Sequence, residues 1–214
     1  MSSRAIILDE FLTASRDGYV CLDARSPAEF AHAHVHGAVN LPLLNDEERH
    51  EVGLTYKNEG KDAAAKKGFS LVGHKFVDYI RQAESHSPQK RLAIYCWRGG
   101  LRSHVMAWVM STAGFDVVIL KGGYKTWRQR VLEILDTEFH MTVLSGKTGC
   151  GKTECLQRLR EIGEPVIDLE GLAHHRGSTY GALGMPQQPS QEMFENELAR
   201  HILMTGNSFW VEDE

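Results

Sequence analysis

Two short segments carry residue types and spacings that can do chemistry. The first reads Cys96-Trp97-Arg98-Gly99-Gly100-Leu101-Arg102, between an apolar stretch, Leu92–Tyr95, and a helical pattern. A loop of this kind aims backbone N–H groups inward, and the following helix N-terminus adds partial positive charge. Arg98 and Arg102 add two permanent cations, and Gly99 and Gly100 let the backbone come close. All these effects favour thiolate over thiol, which makes Cys96 a candidate nucleophile. The same cradle suits a tetrahedral oxyanion, or a terminal S⁻ or Se⁻ carried on the cysteine.

The second segment, Gly146-Lys147-Thr148-Gly149-Cys150-Gly151-Lys152-Thr153, satisfies G-x-x-x-x-G-K-[ST] between a predicted strand and a predicted helix. Successive amides of such a loop wrap a phosphate, Lys152 reaches a terminal oxygen, and the Thr153 hydroxyl can ligate Mg²⁺. Asp213, just beyond an apolar strand, is the candidate acidic partner for that ion. The motif predicts diphosphate binding and leaves its use open among nucleotide hydrolysis, kinase transfer and binding of a prenyl diphosphate.

The elements that must position these loops read as α/β. Strands are expected at Tyr19–Leu22, Val39–Leu41, Leu92–Tyr95 and Val117–Leu120. Ser26-Pro27 with Glu29 in the first turn opens a helix. Phe69, Val72, Phe76 and Ile80 fall on one helical face, and the helix after the cysteine loop is expected to bury Leu101, Val105, Trp108 and Val109. A helix from about Thr126 to Leu135 runs almost directly into strand Met141–Leu144. No Pro/Gly/Ser-rich linker intervenes, so two docked domains are expected, 1–137 and 138–214. The second offers strands Met141–Leu144, Val166–Leu169 and Ser208–Val211, with a helix over Gln191–Met204. Phosphate-loop domains build sheets of about five strands or more. The second domain is therefore expected to be truncated, with apolar surface exposed on the strand holding Phe209 and Trp210.

Composition narrows the class. The chain has 214 residues, 42% hydrophobic and 24% charged, and a net charge of −4. No apolar run is long enough to span a membrane, and the first residues lack a signal-peptide pattern. Four cysteines without paired spacing, Cys21, Cys96, Cys150 and Cys155, predict reduced thiols and a cytoplasmic setting. Charge is uneven: Lys57 to Arg91 holds eight Lys/Arg against four Asp/Glu, and Lys121–Arg130 holds four basic residues and no acid. Such segments can hold a polyanion although the whole chain is acidic.

The segments Asp23-Ala24-Arg25-Ser26-Pro27-Ala28-Glu29-Phe30 and His34-Val35-His36-Gly37-Ala38-Val39-Asn40-Leu41-Pro42 resemble the first signature of the rhodanese family. Gly114 to Trp127, with Lys121-Gly122-Gly123-Tyr124, resembles the second. The resemblance covers roughly the first 135 residues and implies a rhodanese-like domain that carries sulfur or selenium on Cys96. Six positions separate Cys96 from Arg102, one more than in the usual sulfurtransferase loop, and Cys-x5-Arg also suits phosphatases. His34 already belongs to the signature and no cysteine or carboxylate completes a ligand set around His32 and His36, so no tightly bound metal is expected.

The whole chain resembles the tRNA 2-selenouridine synthase family. The resemblance rests on the loop Cys96 to Ser103, the insert Asn45-Asp46-Glu47-Glu48-Arg49 with Tyr56-Lys57, the run Asp168 to Ser178, Phe194-Glu195-Asn196 and Trp210 to Glu214. It implies replacement of sulfur by selenium in wobble 2-thiouridine of tRNA. Selenophosphate and geranyl diphosphate are the implied substrates, and an S-geranylated uridine the implied intermediate. A selenophosphate-producing enzyme is an implied partner. Lys57, Lys66, Lys67, Lys121, Lys125 and Arg128 are then the expected contacts to the tRNA anticodon region, with Tyr56, Trp97, Tyr124 and Trp127 available to stack on a base. The alternative is a sulfurtransferase or Cys-x5-Arg phosphatase fused to a phosphate-loop small-molecule kinase.

Overall fold

The computed structural model describes residues 3–147, 150–176, 181 and 184–213. Thr148 and Gly149 of the phosphate loop, Gly177 and Ser178 of the later signature, and Glu214 lie outside the described residues. The chain divides into two compact units, Met1–Trp127 and Arg128–Glu214.

The first unit begins with two elements not anticipated from the sequence, strand β1 (Arg4–Ile6) and helix α1 (Leu8–Arg16). Leu8, Phe11 and Leu12 do stand at helical spacing, and Phe11 is fully buried. Strand β2 (Val20–Asp23) leads to helix α2 (Pro27–His32). Proline sits at the first helical position, and the Ser26 amide donates to Glu29 Oε2 at 3.1 Å. After β3 (Val39–Asn40) come α3 (Asp46–Glu59) and α4 (Lys61–Val72), a helical pair turned at Gly60. Asn45 caps α3, accepting from the Glu48 amide at 2.8 Å.

The expected single helical face from Phe69 to Ile80 is interrupted. A 3₁₀ turn at Gly73–Lys75 separates α4 from α5 (Phe76–His86). Phe76 and Ile80 pack against the core, whereas Phe69 is half exposed.

Strand β4 (Arg91–Tyr95), helix α6 (Leu101–Thr112) and strand β5 (Asp116–Leu120) follow. The sheet is parallel, in the order β1-β5-β4-β2-β3. Its central strands are continuous apolar runs, as strands covered on both faces require. Leu22, Ile94, Val117 and Ile119 join Tyr79 and Ala83 of α5 and Met106, Val109 and Met110 of α6 in one core. Of the four residues expected to be buried on α6, Val105 and Val109 are, and the other two are not. Leu101 and Trp108, seven positions apart, lie on its outer face and are more than half exposed. Because the strands are parallel, the turns after β2, β4 and β5 gather at one carboxyl edge, where α/β sheets place their sites.

Helix α7 (Tyr124–Leu135) contains the boundary between the units. The second unit holds β6 (His140–Leu144), α8 (Lys152–Glu161), α9 (Leu169–Ala173), α10 (Gln191–Thr205) and β7 (Ser208–Glu212). Strands β6 and β7 pair in parallel. The expected strand Val166–Leu169 is reduced to an isolated bridge from Val166 to Trp210. Asp168 turns the chain instead, its carboxylate capping α9 at the Gly171 amide (2.7 Å). The exposed apolar surface also lies elsewhere than expected. Phe209 and Val211 of β7 are buried, and Met141 and Val143 of β6 are at least half exposed. β7 has neighbours on both sides, β6 and Val166, while β6 pairs only with β7 among the described residues.

Native-state hydrogen exchange should follow this difference. The Ile94 and Ile119 amides, in strands paired on both sides, should exchange on the order of 100-fold more slowly than those of Met141–Val143. Equal protection of the two sheets would contradict this picture.

Candidate functional site

Cys96 stands at the carboxyl end of β4, almost fully buried. The Gly100 amide donates to its Sγ at 3.3 Å, and the Ser103 hydroxyl oxygen lies 3.3 Å from the sulfur. Ser103 Oγ in turn donates to the Gly100 carbonyl at 3.0 Å, closing the first turn of α6 around the sulfur. Arg98 is exposed on the loop. Arg102, expected beside the thiolate, directs its guanidinium to Glu29 instead, at 2.5 and 3.3 Å. Burial alone would raise the Glu29 pKa, but the hydrogen bonds and charge of Arg102 outweigh it and hold the carboxylate below its usual range. The loop's positive charge is thus partly offset by an acid from α2.

The loop rests on residues that sequence reasoning quoted only as part of a signature. Arg25 and Asp23, both buried, form an ion pair at 2.6 Å. Arg25 also donates to the Ala33 carbonyl at 2.7 Å and lies 4.0 Å from the centre of the Tyr124 ring. Tyr124 returns its amide to the Cys96 carbonyl (2.8 Å), and Lys125 donates to Trp97 O (3.0 Å). Gly123 fits beneath this loop only because it has no side chain. It has φ +64°, and a Cβ there would sit 2.2 Å from Cys96 O. Tyr124 and Trp127 are therefore buried supports and cannot stack on a nucleobase, in contrast to the exposed Tyr56.

The other cysteines differ. Cys21 is buried, and desolvation, with Asp23 second, pushes its thiol well up, which makes it inert. Cys150 and Cys155 are exposed. Of the alternating histidines, His34 stacks on Phe30 at 4.0 Å and bonds its carbonyl. Among the described residues, no three His, Cys, Asp or Glu side chains converge as a metal-ligand set.

In the second unit, β6 runs into the phosphate loop and α8 leaves it, with Gly151 at φ +89° before the first helical residue. Lys152 Nζ donates to the Gly146 carbonyl at 2.7 Å, folded back over its own loop. Gly146 is tight as well, since a Cβ would meet Cys150 Sγ at 2.6 Å. The acid opposite Thr153 is Glu212: the Thr153 hydroxyl donates to its Oε2 at 3.2 Å. Asp213, the expected partner, accepts from Ser145 at 2.5 Å. Both lie where β7 ends beside β6. Side-chain alternation along β7 decides which one turns toward α8, and the run of consecutive acids does not reveal it. Thr153 and Glu212 could together hold a Mg²⁺ ion with a bound diphosphate.

Residues 8–130 match the family described as the rhodanese-like domain. The chain belongs to the rhodanese-like domain family. Residues 139–214 match the family described as the tRNA 2-selenouridine synthase AAA domain. Among curated relatives, a tRNA 2-selenouridine synthase of Nitrosomonas eutropha is 39% identical over 209 residues, covering 90% of this chain and 52% of the relative. Those of Shewanella halifaxensis (39%, 99% and 61%) and Bdellovibrio bacteriovorus (40%, 95% and 54%) are similar in the same way. The chain spans between half and two thirds of these relatives' length. A solved structure, the N-terminal domain of a protein assigned to ATP/GTP binding from Clostridium difficile 630, is 36% identical with a TM-score of 0.56. It is matched over 98% of its length and 60% of this chain.

The basic residues are placed unevenly around the rhodanese-like unit. Lys57, Lys66, Lys121 and Lys125 are exposed, while Lys67 pairs with Glu51 at 2.5 Å. Arg128, in the second unit, is held by Glu195 and Asn196. Its ion pair and the Gln191 hydrogen bond keep Glu195 below the usual carboxylate range.

The close fit of Gly123 yields a direct test. Gly123→Ala should cost about 1–3 kcal/mol of stability and slow alkylation of Cys96 relative to Cys150 and Cys155, read by peptide mass spectrometry. Gly114→Ala is the control. Its φ is also positive, but its Cβ meets nothing within 4 Å, so stability should fall with Cys96 alkylation unchanged. An unchanged Cys96 rate in Gly123→Ala would separate the glycine turn from the cysteine loop.

Proposed function

We propose that this chain acts in tRNA modification, converting 2-thiouridine at the wobble position to 2-selenouridine. The observation that carries the reading is the pairing of the amide-lined Cys96 loop with a phosphate loop in a chain whose curated relatives are named tRNA 2-selenouridine synthase. Two steps need two such sites. In the first, the thiouridine sulfur bonds to C1 of geranyl diphosphate while the C–O bond breaks and diphosphate departs with the electron pair. Lys152 and the loop amides offset its charge, with Thr153 and Glu212 able to hold Mg²⁺. In the second, selenium of selenophosphate bonds to C2 and geranylthiolate leaves. Water then cleaves the Se–P bond to leave the selenocarbonyl and phosphate. Cys96 and its loop handle the selenium donor, a tetrahedral oxyanion that suits the amide cradle.

Lys57, Lys66, Lys121 and Lys125 are the proposed phosphate contacts to the tRNA anticodon region, with Tyr56 free to stack. Lys67 and Arg128 contribute less, since each already faces a carboxylate. A selenophosphate-producing enzyme is the proposed supplier, and the reaction implies a cytoplasmic setting. The phosphatase–kinase alternative uses the same two loops and differs in needing no tRNA and in turning over ATP.

Cys96→Ser should abolish 2-selenouridine formation, measured by nucleoside mass spectrometry, with tRNA affinity within a few-fold of the parent. The hydroxyl stays protonated at neutral pH and cannot replace the thiolate around which the selenium-donor loop is arranged. Full selenation by the mutant would refute the role. Lys152→Ala should weaken geranyl diphosphate binding by about 1.5–3 kcal/mol in calorimetry and leave Cys96 alkylation unchanged. Unaltered affinity would remove Lys152 from the diphosphate site.

Binding of tRNA should also weaken steeply with salt. Charge reversal at Lys57 and Lys66 should flatten the slope of log affinity against log salt by about one unit per lost phosphate contact. The same slope in mutant and parent would place the interface elsewhere.

A further inference from the structure

The mouth of the Cys96 loop carries one aromatic ring that belongs neither to the core nor to the chemical steps above. Trp97 is 37% exposed, while Cys96 beside it is 3% exposed and Tyr124 and Trp127 are buried. Its ring packs on Tyr124, with centroids 5.6 Å apart and planes at 33°. The Arg25 guanidinium lies 5.9 Å from the indole centre. Tyr124 and Arg25 are both buried, so they hold the inner side of the indole and leave its outer side to solvent. The backbone is fixed as well, since the Trp97 carbonyl accepts from the Lys125 amide at 3.0 Å and the Cys96 carbonyl from the Tyr124 amide at 2.8 Å.

Two features say what such a ring can take. An indole held from behind is a stacking surface ordered before any ligand arrives, so little side-chain freedom is lost on binding. The charge around it has one sign, because residues 96–102 and 121–126 contain no Asp or Glu. Arg98, Lys121 and Lys125 are exposed in these two turns, whereas Arg102 is engaged by Glu29. An aromatic face among cations matches a nucleotide in a single-stranded segment, whose base stacks while its phosphates meet the charges. Among Tyr56, Trp97, Tyr124 and Trp127, Trp97 alone is both exposed and joined directly to Cys96.

We propose that Trp97 is the platform on which the wobble 2-thiopyrimidine ring stacks during exchange, with Arg98 and Lys125 meeting the phosphates that flank it. The inference rests on the tRNA reading above and deepens it by naming the residue that receives the target base. Because Trp97 follows Cys96 directly, a ring stacked there lies beside the loop that handles the selenium donor.

The test uses the 214-residue chain and two fluorescein-labelled anticodon stem-loop RNAs, followed by fluorescence anisotropy. One RNA carries 2-thiouridine at the wobble position and the other is abasic there. The parent should prefer the 2-thiouridine RNA by about 5- to 150-fold, the worth of one base–aromatic stack. Trp97→Leu keeps apolar bulk against Tyr124 but has no aromatic face. It should lose most of that preference while binding the abasic RNA as the parent does. Trp97→Phe should keep most of the preference. Trp108→Ala, on the outer face of α6, should leave both affinities unchanged. Arg98→Gln should weaken both RNAs and flatten the salt slope by about one unit. A preference unchanged in Trp97→Leu, an equal loss on both RNAs, or no recovery in Trp97→Phe would each overturn the platform. An unchanged slope in Arg98→Gln would overturn the phosphate contact. These failures leave the tRNA reading standing, because the parent still binds RNA. A parent that binds neither RNA would overturn both readings together.

Discussion

The cysteine loop depends on one buried ion pair. Asp23 and Arg25 leave water almost completely, and such a pair is tolerable only when its remaining polar atoms are also satisfied. Here they are met from several directions. Asp23 Oδ1 accepts the Arg25 amide at 2.9 Å, Arg25 Nη2 reaches the Ala33 carbonyl, and Asn40 Nδ2 bonds the carbonyls of both residues at 3.0 Å. The guanidinium also lies near the rings of Tyr95, Trp97 and Tyr124. Burial alone would lower the Arg25 pKa, but Asp23's hydrogen bonds and charge outweigh it and raise the value. One charged side chain thereby joins the ends of β2 and β4, the turn after α2 and the first residue of α7.

That junction holds the loop in place around the Cys96 sulfur. The ion pair and the Gly122-Gly123 turn fix the backbone below, so the Gly100 amide is already aimed at Sγ before any substrate arrives. Preorganised donors of this sort cost no reorientation during reaction. The second unit uses the same construction on a smaller scale. A parallel strand ends in a glycine-rich loop, the loop opens a helix, and the neighbouring strand brings an acid to the helix's first turn through Thr153 and Glu212.

The helical pair α3–α4 walls one side of a cavity beside the start of α6. Tyr79 of α5 donates to the Leu43 carbonyl at 2.7 Å, and Lys75 ties α3 through Glu48. Phe69 and Tyr56 are exposed at the edge of this cavity.

The cysteine loop, the phosphate loop and the parallel α/β architecture were legible in the sequence because each follows from local rules. A glycine-rich turn between strand and helix, a Ser-Pro helix start and unbroken apolar strands constrain the nearby backbone wherever they occur. The rest needed residues far apart in the chain. Arg102 turning to Glu29, Glu212 rather than Asp213 meeting Thr153, the outward faces of Leu101 and Trp108, and the loss of strand Val166–Leu169 all depend on which element packs beside which. Charge pairing and burial are properties of neighbours in space, so a one-dimensional pattern supplies the candidate groups and tertiary packing selects their partners.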